Sequence, residues 1–176
     1  MSEKTIPLQT MLDAIYKVKN KKAKKRLIFD QTHLSGIGSK WVKAFFISLP
    51  ILLYIGIFNP SMFSMLGIAQ AIIFYIVFLS MVMIMIVGLT FINNTKVLRQ
   101  IEPSWKRLFP NADIKQVIAS HGTPYKDFLK HYDQALSDGL NEESLYVRLK
   151  ENLAQMEDEN RVLYEQMNRQ HTRNES

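Results

Sequence analysis

The sequence predicts an all-α membrane protein. A two-span transmembrane helical hairpin separates a basic amphipathic N-terminal arm from a helical C-terminal cytoplasmic tail that ends in a short coiled-coil-like helix. The first observation behind this prediction is that no Asp, Glu, Lys, Arg or His occurs from Ala44 to Thr95. The second is that the charges, which sum to +6 over 176 residues, all lie in the flanking segments. An uncharged apolar stretch longer than one span indicates membrane insertion rather than a soluble core.

The apolar segment is long enough for two membrane spans, because each span needs about 20 residues. The Asn-Pro-Ser sequence at 59–61 supplies the turn, since proline stops a helix and asparagine favours turns. We place the spans at about 41–58 and 65–92. The first is short and contains Pro50, so re-entry into the same leaflet is an alternative to full crossing. The predicted domains are an arm with a Gly/Ser hinge at 1–40, the hairpin at 41–95 and the tail at 96–176.

Basic residues near the span ends predict the orientation of the chain. Lys40 and Lys43 precede or open the first span, Lys96 and Arg99 follow the second, and the turn carries no charge. Cytoplasmic segments next to spans are enriched in lysine and arginine. We therefore expect both termini in the cytoplasm and an integral protein of a bacterial inner membrane.

The N-terminal arm combines apolar residues at helical spacing with a run of cations. The apolar face consists of Leu8, Met11, Leu12, Ile15 and Val18. The predicted membrane-surface residues are Lys17, Lys19, Lys21, Lys22, Lys24, Lys25 and Arg26. Such a run is attracted to a lipid bilayer with an anionic inner leaflet, although it could also serve only to set the topology. Nucleic-acid binding is disfavoured because few aromatic residues are interleaved for stacking.

Two further patterns predict helix contacts. Gly67 and Ala71 form a small-x3-small pair that permits close helix packing in the membrane. A helix at 142–171 carries an a/d-like seam, which indicates either self-association or a protein partner, or else packing onto the shorter tail helices. Its seam residues are Leu149, Leu153, Met156, Asn160, Leu163 and Met167. We also expect Trp105 at the membrane interface.

The residue inventory predicts no catalysis. The chain has no Cys, and Asp127 with His131 on one helix face is explained by a surface ion pair. We expect no catalytic, cofactor-binding or metal-binding residues, no cofactor and no small-molecule substrate. The predicted function is a non-enzymatic membrane anchor or scaffold subunit that presents a helical docking surface, within an envelope assembly such as a secretion or conjugation apparatus. The alternative is a regulatory, immunity or entry-exclusion protein that blocks another membrane system through its hairpin.

Overall fold

A computed structural model describes residues 5–34, 38–119 and 121–174. The described chain is mostly helical, as predicted, with one two-stranded antiparallel ribbon. The elements are α1 (Leu8–Ile15), β1 (Tyr16–Lys19), β2 (Lys22–Lys25), α2 (Ser39–Ile57), α3 (Pro60–Leu108), α4 (Ile114–Val117), α5 (Phe128–Ser137), α6 (Glu142–Glu159) and α7 (Arg161–Asn174). The predicted Gly/Ser hinge falls partly on residues 35–37, which lie outside the described residues.

The chain divides into two compact units. The first, here called the composite unit, joins the described residues up to Arg26 with those from Leu98 onward. The second, the apolar unit, covers the described residues from Leu27 to Val97. Sequence analysis treats the arm and the tail as separate segments, whereas the structure packs them together. The reason is that the apolar face of α1 is buried among helices of the tail rather than left exposed for lipid.

The apolar unit contains α2 and most of α3, and both helices are long and apolar enough to cross a membrane. Aromatic rings join them, since the Tyr75 ring lies 6.2 Å from Tyr54 and 6.1 Å from Phe58. Ala71 is fully buried one turn before Tyr75, and Val82 is buried two turns after it. These three residues share one helix face because three- and four-residue steps recur on the same side.

Gly67 interrupts the regular geometry of α3 near its start. Its φ of 74° and ψ of 164° are non-helical, and a side chain at this φ would be strained. The predicted contact pair Gly67 and Ala71 therefore does not stand on one unbroken helix. Ala71 lies in the regular part of α3, while Gly67 forms the kink that lets the chain turn after the short link from α2.

The arm forms a helix and a β-ribbon, which corrects the longer helix expected from the sequence. α1 ends at Ile15, so Val18 lies in β1 instead of on the helical face. Alternating apolar and lysine residues favour a strand here, and Asn20 and Lys21 make the turn with φ values of 53° and 58°. Two consecutive positive φ values are those of the tight turn that best matches the twist of paired strands.

The core of the composite unit is built around Trp105, near the end of α3. Its indole N–H donates to the Ala112 carbonyl oxygen at 2.7 Å, and its ring lies 4.6 Å from Phe109 and 6.4 Å from Phe128. Trp105 is only 1% exposed. The expectation that this residue lies at the membrane interface is wrong, because every face of its ring is covered by protein.

The C-terminal helix expected at 142–171 consists of two helices. α6 ends at Glu159 and α7 begins at Arg161, with Asn160 between them in a non-helical conformation. The Asn160 side chain donates to the carbonyl oxygens of Pro124 and Met156. The amide is thus used to fix the loop before α5 onto the end of α6, and the break divides the predicted seam.

Three buried tyrosines make the composite unit sensitive to alkali. Burial raises the pKa of Tyr16, Tyr125 and Tyr132 above the usual tyrosine range, and the bond that the Tyr125 hydroxyl donates to Glu157 adds to its increase. A raised folded-state pKa stabilises the fold fully below the unfolded pKa, near 10, and this contribution is lost as the pH rises further.

We expect cooperative unfolding of the composite unit above about pH 10, which tyrosinate absorbance and near-ultraviolet circular dichroism would measure. Y16F/Y132F should shift the transition to higher pH; an unchanged transition would contradict this assignment.

Candidate functional site

The composite unit brings residues from both ends of the chain together and carries several surface pockets. Among the residues that the structure describes, no group of three or more His, Cys, Asp or Glu could hold a metal ion. Asp127 and His131 are joined through the backbone, where the His131 N–H donates to the Asp127 carbonyl oxygen at 3.3 Å. The charged and apolar surfaces of the unit are candidate binding sites.

The ribbon presents four lysines on one side, here called the lysine face. In the ribbon register Lys17 is opposite Lys24, and Lys19 is opposite Lys22. Side chains alternate along a strand, so these four residues share a face while Val18 and Ala23 point to the other side. All four lysines are exposed, whereas Ala23 is buried. The lysine face thus contains four of the seven basic residues predicted from sequence.

The other three predicted cations are tied to the unit's own backbone. Lys21 Nζ donates to the Ser137 carbonyl oxygen at 3.0 Å, and Lys25 Nζ donates to that of Ile118 at 2.7 Å. Arg26 Nε donates to the carbonyl oxygens of Asp13 and Tyr16. These three residues therefore hold the ribbon against α5, the end of α4 and α1. Sequence analysis could not separate them from the lysine face, because it had no strand register.

An apolar groove lies between the end of α3 and α6. Its volume is about 440 Å³, and its walls include Phe109, Tyr146, Leu153 and Ala154. The rings of Phe109 and Tyr146 are 5.5 Å apart, and Lys150 Nζ lies 5.9 Å from the Tyr146 ring centroid. The groove combines aromatic walls with charged residues of both signs, since Arg107, Lys150 and Glu157 also line it.

The predicted seam is divided between the core and the surface. Leu149, Leu153 and Met156 are buried in the composite unit, which agrees with the packing alternative for this half. Leu163 and Met167 of α7 are only partly buried. Val162, just before them, is 72% exposed. α7 is therefore the part of the predicted seam that is still accessible to a partner or a second copy.

Two asparagines near the end of the apolar stretch form a clamp that sequence analysis missed. The Phe29 N–H donates to Asn94 Oδ1 at 2.9 Å, and Asn94 Nδ2 donates to the Leu27 carbonyl oxygen at 2.9 Å. Asn93 Nδ2 donates to the Phe29 carbonyl oxygen at 3.0 Å, and its Oδ1 accepts from Gln31. The two side-chain amides thereby hydrogen-bond to the backbone of the segment that precedes α2, as a neighbouring strand would do. The only signal in the sequence was an Asn-Asn pair two residues before Lys96, the first charge after the apolar stretch.

Replacing Asn94 with alanine should release the segment from Leu27 to Phe29. Both polar atoms of the amide are used, so the backbone groups that they satisfy lose their partners, at a cost of about 1–3 kcal/mol. We expect faster amide hydrogen exchange at Phe29, measured by mass spectrometry. The matched control is Asn111→Ala, at an exposed asparagine of the composite unit. Equal protection of Phe29 in both variants would contradict the clamp.

Comparisons with known proteins give no relative. No protein family matches the chain, and neither a curated protein nor a solved structure is detectably similar to it. The surfaces of the composite unit and the apolar helices are the features that bear on function.

Proposed function

We propose that this chain is a non-enzymatic membrane anchor or scaffold subunit whose composite unit docks a protein partner in the cytoplasm. The observation that carries the proposal is the construction of this unit from both sides of the apolar segment. Residues before α2 and residues from Leu98 onward, which include the last part of α3, share one core, and the apolar segment separates them in the sequence. A chain built in this way can hold a folded unit at a membrane and raise its effective concentration for a partner.

Membrane insertion is supported by the exposure of the apolar helices. A core helix of a soluble protein is mostly buried, whereas only 11% of the apolar stretch in α2 and 6% of that in α3 are buried. Large side chains such as Ile47, Ile73 and Ile84 are more than half exposed. A helix that is apolar on all sides and still uncovered needs an apolar solvent.

The proposed orientation is supported by the same shared core. Because residues on both sides of the apolar segment pack together, the chain between them must cross the membrane an even number of times or not at all. Two full crossings, or one re-entrant hairpin, meet this condition. The flanking lysines and arginines favour the cytoplasmic side of a bacterial inner membrane. A secretion or conjugation apparatus is the setting that we propose for the docking.

The test of docking uses two positions of equal exposure. Val162 in α7 is 72% exposed and Ile84 in α3 is 73% exposed, so a photo-cross-linking residue is equally accessible at both. In native membranes we expect a discrete protein adduct from position 162, and its loss when Met167→Glu places a charge on α7. A carbonate wash that removes the full-length protein from membranes would contradict the anchoring part of the proposal.

The second candidate function is a regulatory blocker of the immunity or entry-exclusion kind. It is favoured by the large uncovered apolar surface of α2 and α3, which could bind the membrane helices of another system. The same experiment separates the two functions. Adducts from position 84 that survive Met167→Glu, without any adduct from position 162, would favour the blocker over the docking subunit.

A further inference from the structure

The lysine face concentrates positive charge in a way that the fold itself does not need. Two lysine pairs, Lys17 with Lys24 and Lys19 with Lys22, stand directly opposite each other across the ribbon. Like charges in directly opposed positions destabilise a strand pair. An acidic or neutral polar residue on either strand would remove this repulsion without changing the buried face. The repulsion is therefore explained best by an external anion.

The four lysines of this face carry no ion-pair partner in the part of the chain that the structure describes, although Asp127, Asp133 and Asp138 line a pocket with Lys22. The neighbouring cations differ, because Lys21, Lys25 and Arg26 donate to backbone carbonyl oxygens and hold the ribbon in place. The unit thus uses three cations to fix the ribbon and leaves four directed away from the buried face. A ligand of the ribbon would therefore bind the four lysines of the lysine face.

We propose that the lysine face binds the phosphate groups of anionic phospholipids. The inference rests on the anchoring part of the proposed function, which keeps the composite unit on a chain held in a bilayer. Lysine is a compact charge that suits phosphate without demanding one orientation. The face has no arginine, asparagine or glutamine to read base edges and no aromatic ring on which bases could stack, so it favours a lipid surface over nucleic acid.

The test uses the full-length chain in nanodiscs of pure phosphatidylcholine. In these discs the lysine face has no anionic lipid of its own, so it is free to capture added vesicles. Vesicles that contain phosphatidylglycerol should bind, vesicles of phosphatidylcholine should not, and salt should weaken the binding. Each base near an anionic surface contributes a factor of about five, so K17Q/K19Q/K22Q/K24Q should weaken binding by about six hundredfold. The corresponding quadruple arginine variant should retain it.

The matched control removes the same charge from the same unit. K106Q/K115Q/R148Q/K150Q changes four exposed basic residues outside the ribbon and its neighbouring pocket, and we expect less than about a tenfold loss. Equal losses in the two quadruple variants would overturn the proposal, because net charge alone would then explain binding. If inorganic phosphate at low concentration displaces the anionic vesicles, the proposal would be overturned, because the lysine face would then bind a free anion rather than a lipid surface. Tighter, lysine-face-dependent binding of duplex DNA would overturn it in favour of nucleic acid.

Two readouts separate this inference from the function on which it rests. The lysine-face variant should fold at least as stably as the natural sequence, because it removes two like-charge pairs. Incorporation of the chain into nanodiscs reports on membrane anchoring, independently of vesicle capture. A chain that enters discs but ignores anionic vesicles defeats only the lipid proposal. A chain that cannot be placed in discs defeats the proposed anchoring itself.

Discussion

Residues 98–176 made without the N-terminal arm are expected not to fold, whereas joining residues 1–26 to them with a flexible linker should give a stable, soluble unit. Met11, Leu12, Ile15 and Tyr16 are almost completely buried in the composite unit. Burying each such side chain contributes about 1.5–3 kcal/mol, so losing four removes about 6–12 kcal/mol. A typical domain has a total stability of only about 5–15 kcal/mol.

The linker can be short because the ends that it replaces lie close together. Within the apolar unit, Asn94 Nδ2 is 2.9 Å from the Leu27 carbonyl oxygen. About ten glycine and serine residues have a typical end-to-end distance near 17 Å, which exceeds such a gap. Thermal unfolding followed by circular dichroism should show one cooperative transition for the fusion and none for residues 98–176 alone.

The matched control for the fusion is Met11→Asp. Met11 is fully buried, so a carboxylate there has to leave water without a partner and should prevent folding. A cooperative transition for residues 98–176 alone, at the temperature of the fusion, would show that the arm is dispensable. It would also remove the argument that residues on both sides of the apolar helices must lie on one side of the membrane.

The apolar helices could be located from sequence because their signal is strong and local. The uncharged run from Ala44 to Thr95 locates both helices, although α3 continues to Leu108, beyond the span end predicted at about 92. The break near residues 59–61 was also predicted, since the effect of proline on the backbone is local to its own position in the sequence. The kink at Gly67 was not predicted, because glycine is compatible with both a helix and a left-handed conformation. The continuation of α3 through Pro103 to Leu108 was not predicted either, because proline indicates a helix end.

The composite unit was much less predictable, because its core joins residues far apart in the chain. Tyr16 packs its ring 6.2 Å from Phe128 and 5.7 Å from Tyr132, more than a hundred residues away. Helical spacing identified the apolar face of α1 correctly but could not say whether lipid or protein would cover it. The lysine face was not predicted for a related reason. Its four lysines share a side only when side chains alternate every two residues, as in a strand, and not at the 3.6-residue spacing of a helix.

Trp105→Ala should destabilise the composite unit by about 3–5 kcal/mol, the usual cost of removing a buried aromatic side chain. The Ala112 carbonyl oxygen also loses the indole N–H that now donates to it. For a domain of about this size, such a loss lowers the Tm by at least about 12 °C. Thermal unfolding of the full-length protein in mild detergent, followed by near-ultraviolet circular dichroism, measures the shift.

The chain itself supplies the control, because its other tryptophan has the opposite environment. Trp41 is 78% exposed in α2, so Trp41→Ala should leave the unfolding of the composite unit almost unchanged. Trp105→Phe should lie between the two variants, since it keeps most of the ring packing and loses only the hydrogen bond and some area. If Trp105→Ala behaves like Trp41→Ala, then Trp105 does not stabilise a buried core. The shared core, and the topology argued from it, would then have to be abandoned.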